Sequence, residues 1–499
     1  MGQPTGQVPM SDAPSSRGDS PTDDASSSPS RAARIGLPGG PLLAVVSVLA
    51  THPAALGWGG LPAEAALTLG VLALMAIWWV TLAVEPAVTG LVPFVAFAAL
   101  GIGTPAQISA PYANPVIFLF AGGALIGLAL ERSGVSARFA SMMVSIAGSS
   151  PLRVLSALII ATALLSAFVS NLATAATMLP LAMALGTRAA LDAQSDQERA
   201  AANRFMTSLL LGVAFASSAG GTLTIIGTAP NAIAVEWLRN NGHPVDFLAW
   251  LTFSVPTLAV FLPILIAVLG VWLFPAREIS ISRFENASKP LGRDGYLVLA
   301  VFFAAVAAWV TRPLYASYLP MVTDGSIAVA AAIALFLAPS DAGNAQRVLA
   351  PSAFANVPWR VLLLFGGGLC LADAMQRTGL SAALGDVFAG AGVLPTVVLL
   401  AMLAAVIVFA SEVASNTALA AMVIPIVGAF APGLGVEPAM LVIPAAFAAS
   451  LAFALPVGTP PNALVFGTGR LRAEDMMRAG LVLDLIAIAV IVTMASLLL

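Results

Sequence analysis

The sequence predicts an all-α polytopic membrane protein, with about 11 transmembrane helices and two re-entrant hairpins arranged as an inverted-topology repeat. Three observations predict it. The first is composition: of 499 residues, 59% are hydrophobic and 9% are charged, with a mean hydropathy of +0.96. A soluble domain carries about 25% charged residues, so a protein folded in water is excluded. The second is an internal repeat. Residues 245 positions apart match at Leu119/Leu364, Phe120/Phe365, Gly122/Gly367, Gly123/Gly368, Gly134/Gly379, Ser166/Ser411, Ser170/Ser415, Asn171/Asn416 and Pro180/Pro425. The third is the placement of the basic residues, which decides how the spans are threaded.

Residues 1–36 are rich in Ser, Pro, Asp and Gly and carry almost no apolar side chains, so they are expected to form a disordered cytoplasmic tail. The apolar stretch from residue 41 reads as the first span and not as a secretory signal, because no small-residue cleavage site leads into a soluble domain. That span is predicted near 41–57. Further helices are predicted near 66–83, 88–103, 115–130, 205–238, 248–274, 294–311, 325–338, 358–376, 438–469 and 479–498. The windows 205–235, 248–275 and 439–469 contain no Asp, Glu, Lys or Arg. Each is long enough to cross a hydrocarbon core of about 30 Å.

Two apolar stretches remain, 154–186 and 395–431, each with a Ser-Asn pair near its middle. Each reads as a re-entrant hairpin of two half-helices, or else as one long tilted span. Topology decides between these. With the N-terminus in the cytoplasm, eleven crossings and two hairpins place 18 of the 21 Lys and Arg residues on the cytoplasmic side. Only Arg239, Arg312 and Arg377 fall on the other. Making either hairpin a full crossing inverts everything downstream and degrades that count. The first hairpin is therefore expected to open to the cytoplasm and the second to the outside, with the C-terminus outside an inner (plasma) membrane.

Inside lipid, backbone that leaves the helix must line protein or a wet cavity. Four places do so: the tips at Ser170-Asn171 and Ser415-Asn416, and the breaks at Gly227-Thr228-Ala229-Pro230-Asn231 and Gly458-Thr459-Pro460-Pro461-Asn462. Pro removes a donor and frees a carbonyl one turn back, and Gly tolerates positive φ. Each break exposes carbonyls at one half-helix end and N–H groups at the next. Carbonyls and Ser, Thr and Asn oxygens suit a hard monovalent cation; N–H groups at the positive dipole end suit an anion. Polar breaks in matched positions of two hydrophobic halves point to a transporter's binding site, here one anion site flanked by two cation sites. Kinked helices with small-residue packing are the plainer reading of any one break; four breaks paired by the repeat favour the site. No Arg or Lys lies within the four motifs, so an anion there would depend on bound cations, which couples the two.

Glu412 lies three residues before Ser415 in apolar surroundings, and its repeat mate is Ala167. It reads as a structural hydrogen-bond acceptor or ion-pair partner, or as a protonation or gating residue. One cysteine, Cys370, excludes an intramolecular disulfide, and with only His52 and His243 beside it a transition-metal site is not expected.

At these residues the chain resembles the divalent anion:sodium symporter family, which includes sodium–dicarboxylate, sodium–citrate and sodium–sulfate cotransporters. The resemblance covers roughly residues 40–499 and extends to Asn114-Pro115-Val116-Ile117-Phe118-Leu119-Phe120 and Leu362-Leu363-Leu364-Phe365-Gly366-Gly367-Gly368. It implies a homodimer in which each protomer has a scaffold and a transport domain that moves as an elevator. The implied division is a tail at 1–36, scaffold at 37–150, transport at 151–276, a cytoplasmic linker at 277–293, scaffold at 294–392 and transport at 393–499. By the resemblance, Ser166, Ser170, Asn171 and Gly227 would form one sodium site, and Ser411, Ala414, Asn416 and Gly458 the other. Asn171, Asn416, Thr417 and Thr459 would contact the substrate's carboxylates, with Ser170, Leu172, Thr228, Ser415 and Pro460 as further substrate-facing candidates. The chain departs from the family pattern at Leu172, where the first motif has Thr, and at Ala229, where the break has a first Pro.

The expected function is sodium-coupled symport of a di- or tricarboxylate of the succinate, malate, fumarate or citrate class. A sulfate carrier, a proton-coupled carrier and a dicarboxylate exchanger share the fold. An intramembrane enzyme would need a nucleophile–base pair or metal ligands at depth, and Ser-Asn without a nearby His, Lys or carboxylate dyad is a poor catalyst. A channel usually builds one pore by rotational symmetry. The expected partners are a small anion, Na+ as coupling ion, lipid and a second copy of the chain. No cofactor and no nucleic acid are expected.

Overall fold

A computed structural model describes residues 30–51, 61–281, 290–340, 346–389 and 394–499. The first 29 residues of the expected tail, His52, Arg283 and Lys289 lie outside these. All named elements among the described residues are helical. Besides short 3-10 turns at Ala110–Ala113 and Pro351–Asn356 and a π-helical turn at Val268–Leu273, they are, in chain order, α1 (Arg31–Thr51), α2 (Ala63–Thr81), α3 (Pro86–Thr89), α4 (Val92–Leu100), α5 (Pro105–Ser109), α6 (Pro115–Arg132) and α7 (Val135–Ser145). Next come α8 (Pro151–Ser166), α9 (Asn171–Asp192), α10 (Asp196–Gly221), α11 (Ala229–Asn240), α12 (Phe247–Ala267), α13 (Arg293–Tyr315) and α14 (Asp324–Leu337). The last seven are α15 (Trp359–Arg377), α16 (Leu380–Ala389), α17 (Thr396–Ser411), α18 (Asn416–Leu434), α19 (Pro438–Ser450), α20 (Pro460–Phe466) and α21 (Ala473–Leu498).

Proline punctuates this array. It occupies the first or second position of α3, α4, α5, α6, α8, α11, α19 and α20, where its missing N–H costs nothing and its fixed φ starts the turn. α1 begins at Arg31, so the end of the expected tail is helical and the first span starts ten residues early. The expected helix at 88–103 is two pieces, α3 and α4. Seven helices among the described residues are long and apolar enough to cross a membrane, rather than eleven. Of the remaining expected crossings, α14 is short, α3–α4, α10–α11 and α19–α20 are broken in two, and α15 is long enough but less apolar. A broken helix reaches across only as the sum of its halves. α18, the second arm of the second expected hairpin, is among the seven.

The offset of 245 lands helix on helix. α8 and α17 coincide at both ends, α9 and α18 start together at Asn171 and Asn416, and α7 and α16 start together. Gly134 and Gly379, a repeat pair, both hold positive φ, at +76° and +80°, a conformation that Cβ disfavours. The halves interlock through a second glycine pair. A Cβ on Gly122 of α6 would lie 2.7 Å from the carbonyl carbon of Ala328 in α14, and one on Gly367 of α15 would strike the Gly90 backbone at the end of α3. Each repeat thus packs a glycine against a helix of the other half, the close approach that small residues permit in membranes. At the centre, Ser208–Gly221 of α10 and Leu441–Ser450 of α19 are buried throughout. Aromatic contacts tie the repeats together there: Phe215 lies 5.1 Å from Phe453, and Phe253 lies 5.0 Å from Phe447, between ring centroids.

Candidate functional site

Each hairpin tip is a four-residue gap between helices. α8 stops at Ser166 and α9 begins at Asn171; α17 stops at Ser411 and α18 begins at Asn416. Ser170 and Ser415 are the N-caps, their hydroxyls accepting from Ala173 N at 3.3 Å and Ala418 N at 3.5 Å. Capping starts the second arm at the asparagine and places its side chain at a helix N-terminus. The serine that closes each first arm makes the same pair of contacts twice. Ser166 Oγ lies 2.6 Å from Ser217 O and 2.9 Å from Asn171 Oδ1, and Ser411 Oγ lies 2.7 Å from Ala449 O and 2.8 Å from Asn416 Oδ1. A hydroxyl has one proton to donate, so each cluster holds more acceptors than donors.

The helix breaks sit upstream of where the sequence pattern put them. The first runs over 222–228 and the second over 451–459. Ala229, Pro230 and Asn231 form the first turn of α11, and Pro460, Pro461 and Asn462 that of α20, because proline is favoured at a helix start and not in the gap before it. Thr228 and Thr459 are N-caps, and Thr459 Oγ1 accepts from Asn462 N at 3.3 Å.

Two residues at the ends of these motifs had no role assigned from sequence. Asn231 and Asn462 are both fully buried. Asn231 Nδ2 donates to Gly221 O at 3.0 Å and Thr224 O at 2.8 Å, and Asn462 Nδ2 donates to Leu455 O at 3.1 Å. Each Oδ1 finds no donor among the described residues. These amides hold the unwound backbone in place. Their signal was available: a buried Asn one residue after proline at the same point of both repeats.

Tip and break meet at glycines. A Cβ on Gly221 would press on the Asn171 amide, with Nδ2 at 3.0 Å. One on Gly227 would meet Ala167 O at 3.0 Å, and the Thr224 hydroxyl donates to that same carbonyl. One on Gly458 would meet Glu412 Oε2 at 2.8 Å and Leu455 O at 3.2 Å. So Ser166, Asn171 and Gly227 come together through Gly221 and Ala167, Ser411 joins Asn416, and Gly458 faces the second tip. The pairing is also crosswise: α9 packs on α20, and α18 on α11. Of the other candidates, Ala414 and Thr459 are buried, Ser415, Thr417 and Thr228 half-buried, and Ser170, Leu172 and Pro460 exposed. A cavity of about 250 Å³ opens beside the first tip, lined by Ser170, Gly227, Val169, Phe120, Glu131 and Pro358 among others.

Buried carboxyl groups surround this arrangement. Glu412 accepts from two amides of the second break, and Asp484 of α21 accepts from Phe453 N at 3.1 Å. Glu236 of α11, fully buried, pairs with Arg239 and with the side-chain amide of Asn114, whose own Oδ1 caps α6 at Val116 N. Sequence reasoning singled out Glu412 alone; a carboxylate inside an apolar helix was the available signal for Asp484.

Comparison with known proteins gives the chain its family. The model of the citrate transporter family matches residues 74–443. The sodium-dependent dicarboxylate transporter SdcS of Staphylococcus aureus strain NCTC 8325 is 33% identical over 476 residues, covering 92% of this chain and 89% of that one. SdcS of strain MRSA252 is 32% identical over the same length. Among solved structures, the Alcanivorax borkumensis YdaH transporter superposes with a TM-score of 0.58 at 15% identity, covering 94% of this chain and 97% of that one, a likeness of fold. The chain therefore belongs to the citrate transporter family: it is a multi-pass membrane transporter and not an enzyme.

Proposed function

We propose that this transporter carries a di- or tricarboxylate across the membrane by symport with sodium, using an elevator motion of a transport domain against a scaffold, as a homodimer of inverted repeats. The observation that carries the reading is the duplicated tip: a serine hydroxyl set between a helix carbonyl and the asparagine that opens the next helix, made once by Ser166 and Asn171 and again by Ser411 and Asn416. Each cluster offers uncharged oxygens to a hard cation, and each asparagine begins a helix whose free N–H groups and dipole favour a carboxylate. The orphaned oxygens of Asn231 and Asn462 fit a cation or its water in the same junctions. In SdcS the named activity is sodium-dependent dicarboxylate transport, which supports the same pairing of ion and substrate here.

With the basic segments in the cytoplasm, Glu131 and Pro358 lie at the cytoplasmic ends of α6 and α15, and the cavity at the first tip faces inward. Uptake into proteoliposomes tests the reading. Succinate, citrate, sulfate and 2-oxoglutarate are compared under an inward sodium gradient, a proton gradient and neither. Accumulation of a di- or tricarboxylate that requires the sodium gradient is expected. Equal accumulation with sodium replaced by choline, or uptake of sulfate alone, overturns it.

A further inference from the structure

The two junctions are not electrically equivalent. At the first tip, position 167 is Ala, and its carbonyl accepts from the Thr224 hydroxyl. Neutral donors hold the rest of that break: Trp250 Nε1 donates to Thr222 O at 3.0 Å and Ser254 Oγ to Leu223 O at 2.7 Å. At the matched position of the second tip stands Glu412, buried. Its Oε1 accepts from Ala454 N and its Oε2 from Leu455 N, both at 2.7 Å, while the preceding amide of Phe453 goes to Asp484. Three consecutive amides of the second break are thus held by two carboxyl groups, one from the tip and one from α21. Asp484 Oδ2 is buried without a donor, and neither group pairs with Arg or Lys, among the described residues.

This charge borders Gly458. The space a Cβ would take there is faced by Glu412 Oε2 at 2.8 Å, Glu412 O at 3.4 Å and Leu455 O at 3.2 Å. The matching space at Gly227 is faced by the neutral carbonyls of Gly221 and Ala167. A carboxylate that accepts at both oxygens acts as an acceptor-only anion, and its field in a poorly screened interior favours a nearby cation far more than a carbonyl dipole does.

We propose that Glu412, braced by Asp484, sets the cation affinity of the second junction, so that this junction takes up its cation ahead of the first. The proposal rests on the reading of the two tips as cation sites. Glu412 touches the break backbone and acts on the cation through it and through its charge, so it is a positioning residue. A merely structural role would lower the maximal rate; an electrostatic role moves the sodium concentration at half-saturation.

The test is the sodium dependence of succinate or citrate uptake in proteoliposomes, for wild type, E412Q, E412D, D484N, S411A and S166A. For E412Q, half-saturating sodium is expected to rise about tenfold or more, from loss of a unit charge, with half-saturating carboxylate at saturating sodium little changed. E412D, which keeps the charge, recovers most of the shift. If E412Q leaves half-saturating sodium unchanged while S411A and S166A raise it, the tips are cation sites and the role given to Glu412 is wrong. If none of these variants moves it, the reading of the tips fails and the proposal with it. Should E412Q not assemble, D484N decides: a rise in half-saturating sodium supports the proposal, and an unchanged value overturns it.

Discussion

Leu172 is where the starts of the two second arms differ in chemistry. Its repeat mate is Thr417, and its side chain is 48% exposed at the start of α9. In the proposed site, a hydroxyl missing there would leave one substrate carboxylate oxygen without a donor, a cost of about 1–3 kcal/mol. Leu172→Thr is therefore expected to improve binding of succinate or malate, relative to the best native anion, by about 5- to 100-fold. Competition uptake with wild type and variant measures this, and an unchanged ratio shows that residue 172 does not face the substrate. Asn171→Ala and Asn416→Ala are each expected to abolish transport at normal expression, since each removes an oxygen from a serine cluster and a polar group from a helix start; near-normal uptake by either variant refutes the site. The polar tip residues were legible because Ser-Asn in an apolar run is conspicuous and occurs twice. Asp484 was visible only as a lone carboxylate in an apolar helix; its partnership with Glu412 was not, because the two are far apart in sequence and no spacing rule joins α17 to α21. Glu236 escaped notice for the same reason: Asn114 reaches it from another helix.

At the scale of helices, the repeat predicted boundaries well where prolines and caps mark them, and less well where the backbone unwinds. The two hairpin arms fall within a few residues of the expected ranges, but both breaks begin before the Gly-Thr motif. The motif marks the restart of the helix, and its closing Asn231 and Asn462 reach back into the unwound backbone; what holds the second break from elsewhere is Glu412 and Asp484, which no local pattern encodes. Glycines separate two kinds of constraint. Gly122→Ala drives a methyl group into the Ala328 backbone, so α6 and α14 must part, at about 1–3 kcal/mol. Gly134→Ala meets nothing within 4 Å but must hold a φ of +76°, at about 1–2 kcal/mol. Thermal unfolding in detergent is expected to show both losses. A compensating truncation at the α6–α14 contact, such as Leu119→Ala, rescues neither, because the clash at Gly122 is with backbone and the strain at Gly134 is in its own dihedrals.

For the molecule as a whole, the orientation of the halves is the feature that sequence argues most strongly, through the distribution of Arg and Lys, and that the contacts leave open. Gln194→Cys, in the exposed turn after the first hairpin, is expected to react with an impermeant maleimide from the cytoplasmic side only. Glu437→Cys, after the second hairpin, is expected to react from the outside only. Cys370 is buried and gives little background. Labelling of both sites from one side of sealed vesicles rules out inverted repeats. The unpaired side-chain oxygens of Asn231 and Asn462 have a consequence for the fold itself. They lie in the core where the broken helices of the two halves meet and find no donor among the described residues, which leaves each able to accept from a water or to ligate a cation from outside the chain. If that partner arrives with the coupling ion, cargo and architecture share one interaction, and the ion gradient that drives transport also sets how firmly the carrier is folded. An ion at one hundred times its dissociation constant adds about 2.7 kcal/mol to the folded state. The protein is then expected to melt at a higher temperature in sodium than in choline, and a cell that loses its sodium gradient would hold a carrier that is both idle and more easily unfolded.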